Sequence, residues 1–222
     1  MRVAVLALVL VGGGVAHAEE AGGAEPKLLP PPTKPIDRPM GLSHKGQLQI
    51  SVRVALGLRA IAVYNNDEEY CGEIDTADNS FAPVCTGRAP FALDFELGYG
   101  IARKVDAFLE LRIGLESDFG SSPTDTEGAR PFHLSPGARF FFSDAGKTKL
   151  FTTAQLVIDA SGYKDIAGSK LGTDLGLRNM SGLWVDLDKA YGFYAFIGET
   201  ATFARWLRFE LEAGVGFQGR YR

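Results

Sequence analysis

From Gln47 onward, apolar and polar residues alternate one by one, and this period of two constrains the fold more than any other feature of the chain. Successive side chains of a strand point to opposite faces, whereas a helix of 3.6 residues per turn would mix the two sets. The first run puts Leu48, Ile50, Val52, Val54, Leu56 and Leu58 on one face, against Gln47, Gln49, Ser51, Arg53 and Arg59. The second sets Phe91, Leu93, Phe95, Leu97, Tyr99 and Ile101 against Asp94, Glu96, Gly98 and Gly100. Similar runs follow over 109–116, 132–142, 152–159 and 175–187, and a clean last one over 207–218. The run from Phe193 to Glu199 is apolar on both faces, so its phase stays open. Eight strands are expected.

The links alternate too. Lys104-Val105-Asp106, Asp144 to Lys147 and Asp188 to Gly192 are short. The first connection, Gly120 to Arg130 and Tyr163 to Gly172 are longer, and only the last link, near Thr200 to Arg205, is short on the long-loop side. Alternating long and short links in an even-numbered meander is the stringing of a transmembrane barrel, with tight turns at the periplasm and long loops outside. Two opposite barrels fit the alternation. A soluble lipocalin-like barrel turns the apolar face inward around a small apolar ligand, whereas a membrane barrel turns it outward. Glycine favours the second, because Gly57, Gly98, Gly100, Gly114, Gly137, Gly176, Gly182, Gly214 and Gly216 share the charged face. Eight strands enclose room only for packed side chains, so glycines there make space for long arginines and glutamates. On a water-exposed face they would only weaken the strands. The apolar face also carries Phe91, Phe95, Tyr99, Phe119, Phe132, Phe140, Phe142, Phe209, Phe217 and Tyr221. Many lie near strand ends, where the aromatic girdles of membrane barrels sit.

Averages alone describe an ordinary soluble protein: 222 residues, formal charge −4, 45% hydrophobic and a mean hydropathy of zero. One-by-one alternation accounts for that zero, since the two residue classes cancel in any window. No basic footprint is present, so nucleic acid is not an expected partner. Ahead of the alternation, Arg2, an apolar run from Val3 to Val15 and Ala16-His17-Ala18 have the form of a cleavable secretory signal over 1–18. The run is too short for an anchor, which needs about 20 apolar residues. Residues 19–45 contain Pro26, Pro30, Pro31, Pro32, Pro35 and Pro39 and read as a disordered periplasmic tether, leaving 46–222 for the barrel. Cys71 and Cys85 sit in the polar first connection and are expected to form a disulfide after export, worth about 3 kcal/mol in the chain-entropy model.

Over Gln47 to Tyr221 this pattern resembles the small eight-stranded outer-membrane proteins of Gram-negative bacteria, the OmpA membrane domain, OmpX and OmpW type. The resemblance implies an all-β, antiparallel up-and-down transmembrane barrel, monomeric and surrounded by outer-membrane lipid. It also implies insertion by the barrel assembly machinery, which recognises a terminal aromatic strand. Gly214, Phe217 and Tyr221 fit that signal, but Gly219 stands where an aromatic is usual and Arg222 follows Tyr221.

The inward set would hold Arg53, Arg59, Arg112, Arg139, Arg178 and Arg208 beside Asp94, Glu96, Glu110, Glu116, Asp159, Asp186, Glu210 and Glu212. Buried charges persist when paired and hydrogen-bonded, so a lumen salt-bridge network is expected. A narrow gated pore is the sharper alternative, because rings of charge set ion selectivity. No catalytic, cofactor or metal site is expected. His133 and Ser135 share one strand face with Glu110 as a candidate acid, but they point at the lumen, away from lipid. His17 leaves with the signal and His44 lies before the barrel, so no histidine cluster remains. Gly12-Gly13-Gly14 lies in the signal, which excludes a phosphate loop. The expected role is structural, surface-interacting or minor-pore, with any outside partner at the cysteine-bearing connection, 65–88.

Overall fold

The computed structural model describes residues 43–62, 64, 74–75, 80–81, 84–117, 129–163, 170 and 172–221. The expected signal, nearly all of the expected tether, Cys71, Phe119 and Arg222 lie outside them, and of Cys85 only the backbone is described. The expected disulfide therefore falls outside the described residues.

Strand β1 (Leu48–Ala62) is followed by the short β2 (Ile74–Asp75), β3 (Ser80–Phe81) and β4 (Val84–Arg88). Then come β5 (Ala92–Ala102), β6 (Val105–Gly114), β7 (Phe132–Phe141), β8 (Thr148–Asp159), β9 (Asp174–Asp186), β10 (Tyr191–Thr202) and β11 (Leu207–Tyr221). From β5 to β11 each strand pairs antiparallel with its neighbour in sequence, β5 pairs with β1, and β1 pairs with β11 from Leu48↔Tyr221 to Ala62↔Leu207. Those eight strands close a barrel without a free edge, which removes the row of unpaired backbone groups that hydrocarbon would not tolerate.

The β5–β6 register shifts between Gly100 and Ala102, and two prolines mark other local departures from a uniform ladder. β4 and β5 pair in turn with one edge of β1, but Ala55 pairs with Ala92 while Leu58 pairs with Arg88. Between them, two residues of β1 oppose Ala89, Pro90 and Phe91. That extra residue is a bulge at Pro90, and it reverses which alternate positions face inward. On β5 the even positions Asp94 and Glu96 are buried, whereas on β4 it is Gly87 that pairs with the inward Arg59. Pro136 sits outward on β7, and the β7–β8 ladder skips from Leu134↔Ile158 to Gly137↔Gln155 in unchanged register. The missing proline N–H removes ladder bonds without shifting the strand.

One end of the barrel is closed by short turns. Gly146 takes φ 83° in the β7–β8 turn, a backbone region that glycine adopts without cost. In the β9–β10 turn the Asp188 Oδ1 accepts the N–H groups of Ala190 (2.6 Å) and Tyr191 (2.7 Å). At the other end the short β10–β11 link is held from β9, where Asp174 Oδ1 accepts the N–H groups of Ala204 (2.8 Å) and Arg205 (3.0 Å).

The faces are sorted opposite to those of a soluble protein. Leu56, Leu58 and Ile197 are more than 60% exposed, while Arg53 and Arg139 are 1% and 0% exposed. Phe95, Tyr99, Phe132, Phe140, Phe142, Phe209, Phe217 and Tyr221 also point outward, and Phe91 is half-buried. On β10, the strand of open phase, Tyr191, Phe193, Ala195, Ile197 and Glu199 face out, and Gly192, Tyr194, Phe196, Gly198 and Thr200 face in. A lipocalin-like barrel needs an apolar cavity. This lumen is lined with charge, so that alternative does not describe the molecule.

Candidate functional site

Every second residue of the wall projects inward, so the lumen gathers side chains that are far apart in sequence. At its centre four arginines meet four carboxylates. Arg53 of β1 donates through Nε to Asp94 (2.9 Å), lies 3.5 Å from Glu96, and pairs with Glu110. Arg112 of β6 grips both oxygens of Asp94 (2.7 and 3.0 Å) and reaches Glu212 of β11 at 2.7 Å. Arg178 of β9 donates to Glu110 (2.5 Å), lies 3.4 Å from Asp94, and pairs with Glu212. Arg139 donates to Glu96 at 2.5 Å. Guanidinium forks suit this task, since each presents five fixed donors to several carboxylates at once. The pairs tie opposite walls together: Arg178 reaches from β9 to β5, β6 and β11.

Below the charges, towards the short-turn end, lies an aromatic layer that the alternation did not announce. Phe141, Phe151, Met180, Trp184, Tyr194 and Phe196 form one buried cluster. Trp184 and Tyr194 stack with centroids 4.7 Å apart and planes 5° from parallel, and Phe151 meets both edge-on. The Arg139 guanidinium sits 5.0 Å from the rings of both Phe108 and Trp184, joining this layer to the charged one. Across the ladder from Tyr194 the wall carries a glycine, Gly216. A Cβ on Gly216 would meet Tyr194 Cζ at 2.2 Å, which explains a glycine at that inward position.

The mouth at the short-turn end is filled from outside the wall. His44, expected before the barrel, is 1% exposed. Its Nδ1 lies 3.1 Å from Asp106 and its Nε2 3.4 Å from Asp186, with its ring edge-on to Phe141 at 4.7 Å. Asp186 also binds Lys149 and Arg220, each at 2.8 Å. Gly46, at φ 75°, turns the chain from His44 into β1, and its N–H donates to Gly100 O at 2.7 Å.

No protein-family model matches the sequence, and no curated protein matches it. Solved structures do. The N-terminal β-barrel domain of Pseudomonas aeruginosa OprF aligns with a TM-score of 0.52 at 10% identity, over 80% of this chain and 98% of that one. Neisserial surface protein A aligns with a TM-score of 0.51 at 12% identity, over 80% of this chain and 100% of that one. Both are eight-stranded outer-membrane barrels. This chain has the small outer-membrane barrel fold.

Within that fold the charged residues read from the sequence divide into three placements. Arg53, Asp94, Glu96, Glu110, Arg112, Arg139, Arg178 and Glu212 meet at the centre, while Asp186 lies at the short-turn mouth. Towards the long-loop end, Asp159 binds Arg208 at 2.8 Å, and Glu210 lies 3.9 Å from Arg59 and 3.6 Å from Arg208. Glu116 does not join them. β6 ends at Gly114, so the alternation no longer fixes where Glu116 points. Its half-exposed carboxylate instead clasps the start of β5, accepting the Phe91 N–H (2.9 Å) and an Arg88 N–H (2.6 Å), and both bonds hold it below the usual carboxylate range. His133 and Ser135 are buried in the lumen, and His133 Nε2 is 3.6 Å from Asp159. Glu110, the acid weighed with them, is held by Arg53 and Arg178. Among the described residues this leaves no histidine-activated serine and no cluster of metal-binding side chains.

Proposed function

We propose that this chain is a Gram-negative outer-membrane barrel that keeps its lumen shut and supports surface interactions through its long connections. One observation carries the reading: a cross-linked layer of four arginines and four carboxylates lies over a packed aromatic layer, and His44 fills the mouth beneath. A conducting lumen needs a continuous wet path lined by charges that an ion can visit and leave. Here the charges already bind one another. The sequence supports the location through its amino-terminal export signal, and the terminal strand with Phe217 and Tyr221 supports handling by the barrel assembly machinery.

Folded protein reconstituted in planar lipid bilayers should give no sustained single-channel steps. Steps that recur in every preparation and scale with the number of inserted barrels would overturn the closed lumen and favour the gated pore.

Surface interaction is assigned to the connection between β1 and β4. Removing it has to spare Val84 to Arg88, whose backbone pairs with β1. A variant lacking 65–83, with Cys85→Ser to avoid a new free thiol, should keep the barrel's heat-dependent gel mobility. It should also lose binding to host-cell or envelope surfaces. Unchanged binding would exclude this connection.

A further inference from the structure

Across β8, β9 and β10 the lipid-facing wall carries a polar interruption. On β8, β9 and β10 the outward positions include Thr152, Asn179, Ser181 and Glu199, bounded on each strand by outward apolar residues above and below. On β9 these are Leu177 and Leu183, respectively 60% and 44% exposed. On β10, Glu199 lies between Ile197 and Ala201, with Phe203 beyond. Thr152, Asn179 and Ser181 close a ring of hydrogen bonds among themselves. Asn179 Nδ2 donates to Thr152 Oγ1 (3.1 Å) and Thr153 O (2.5 Å), the Thr152 and Ser181 hydroxyls share a bond of 2.9 Å, and Ser181 Oγ donates to Asn179 Oδ1 (3.3 Å). Glu199 stands directly opposite Asn179 in the β9–β10 ladder. The Asn179 amide is committed towards β8, and among the described residues no hydrogen bond or ion pair reaches the Glu199 carboxylate.

A carboxyl group facing hydrocarbon is expensive unless something donates to it, and intramembrane ionisable groups mark interaction sites by default. We propose that the outer wall of β8, β9 and β10 docks against a second copy of this chain within the membrane. Glu199 of each copy then accepts hydrogen bonds from the Thr152 and Ser181 hydroxyls of the other, which rotate out of their own ring to donate. Self-complementarity points to a second copy. The face carries an acceptor without a donor on β10 and, beside it, rotatable hydroxyl donors on β9 and β8. A twofold axis along the membrane normal near β9 brings the β10 side of one barrel to the β8 side of the other, with both inserted the same way round. Ala154 and Ala195 flank the cluster and let the two walls approach closely, as small residues do in lipid.

The inference rests on the membrane reading above, and the test separates the two. Full-length protein is folded into lipid vesicles, and flotation with heat-dependent gel mobility reports insertion independently of association. Energy transfer between donor- and acceptor-labelled barrels, measured over a dilution series in lipid, should show association. Glu199→Leu should weaken it by roughly tenfold or more while leaving insertion intact. Glu199→Gln, which keeps the shape and one acceptor, should fall between. A photo-crosslinking residue at Ala195 should give a dimer, whereas one at Leu97, outward on β5 across the barrel, should not. Wild-type protein that inserts but stays monomeric at every dilution would overturn the proposal. So would equal crosslinking from both walls, or an unchanged association in Glu199→Leu. Protein that fails to float would instead count against the membrane reading.

Discussion

Arg178→Met should destabilise the barrel by about 3–5 kcal/mol, the usual cost of removing one member of a buried ion cluster. The side chain is 3% exposed and holds Glu110, Asp94 and Glu212, which come from three other strands. The aromatic layer lies on its short-turn side, and Arg53 and Arg112 share its carboxylate partners. Arg53, Arg112 and Arg139 would remain against four carboxylates, leaving one negative charge uncompensated if all four stay ionised. Arg178→Lys should give an intermediate loss, since an ammonium is a point charge that cannot fork between three carboxylates. Pairing Arg178→Met with Glu110→Gln should recover part of the loss, with a coupling energy of about 1–3 kcal/mol between neighbours in one network. Urea unfolding in detergent micelles, followed by heat-dependent gel mobility, would measure all three. A loss below about 1 kcal/mol for Arg178→Met would mean that the network tolerates its own dismantling and does not hold the lumen shut.

The strands were legible where the two faces differ sharply. β1, β5 and β11 put aliphatic or aromatic residues outside and Arg53, Asp94, Glu96, Glu210 and Glu212 inside, so period and orientation follow from the residues themselves. β10 hid its phase for a physical reason: Tyr194 and Phe196 build the aromatic layer, and these inward rings cancel the contrast with Phe193 and Ile197 outside. Trp184 and Met180 on β9 belong to the same layer, and once the β9 phase is fixed by Arg178 and Asp186 their inward placement follows from parity. Glu116 shows the limit of parity, which holds only as long as the strand does. Pro90 shows another, since an inserted residue reverses parity between β5 and β4. The outward Asn179, Ser181 and Glu199 interrupt runs that otherwise read as apolar. His44 was beyond local reading, because its partners Asp106 and Asp186 come from β6 and β9.

That distant placement makes the His44 segment the second large effect. Gly100→Ala should release Ser43 to Gln47 from the barrel mouth. A Cβ at position 100 would sit 1.9 Å from the His44 carbonyl oxygen and 2.5 Å from its carbon, so a flexible side chain cannot absorb the conflict. One of two backbones has to move. β5 is bonded along both edges, to β1 and to β6, whereas the segment before β1 is tied by the Gly46 N–H to Gly100 O, by the Gly100 N–H to Gln47 O, and by His44. The less connected segment yields. Cleavage by trypsin after Lys45 in the folded protein reports its opening, because proteolysis follows the population of the open form when closing is fast. The rate should rise by roughly tenfold or more in Gly100→Ala, as expected when a local opening costs less than global unfolding. Trp184 emission should change as well, since the His44 ring lies 5.6 Å from it in the intact mouth. His44→Ala is the informative contrast. It removes the ring but leaves Asp186 bound to Lys149 and Arg220 and keeps the backbone bonds to Gly100, so cleavage should rise less than in Gly100→Ala. If the two variants are cut at the same rate, the histidine holds the segment in place. If neither is cut faster than wild type, the segment does not occupy the mouth in the membrane, and the closed lumen has to depend on the charged and aromatic layers alone.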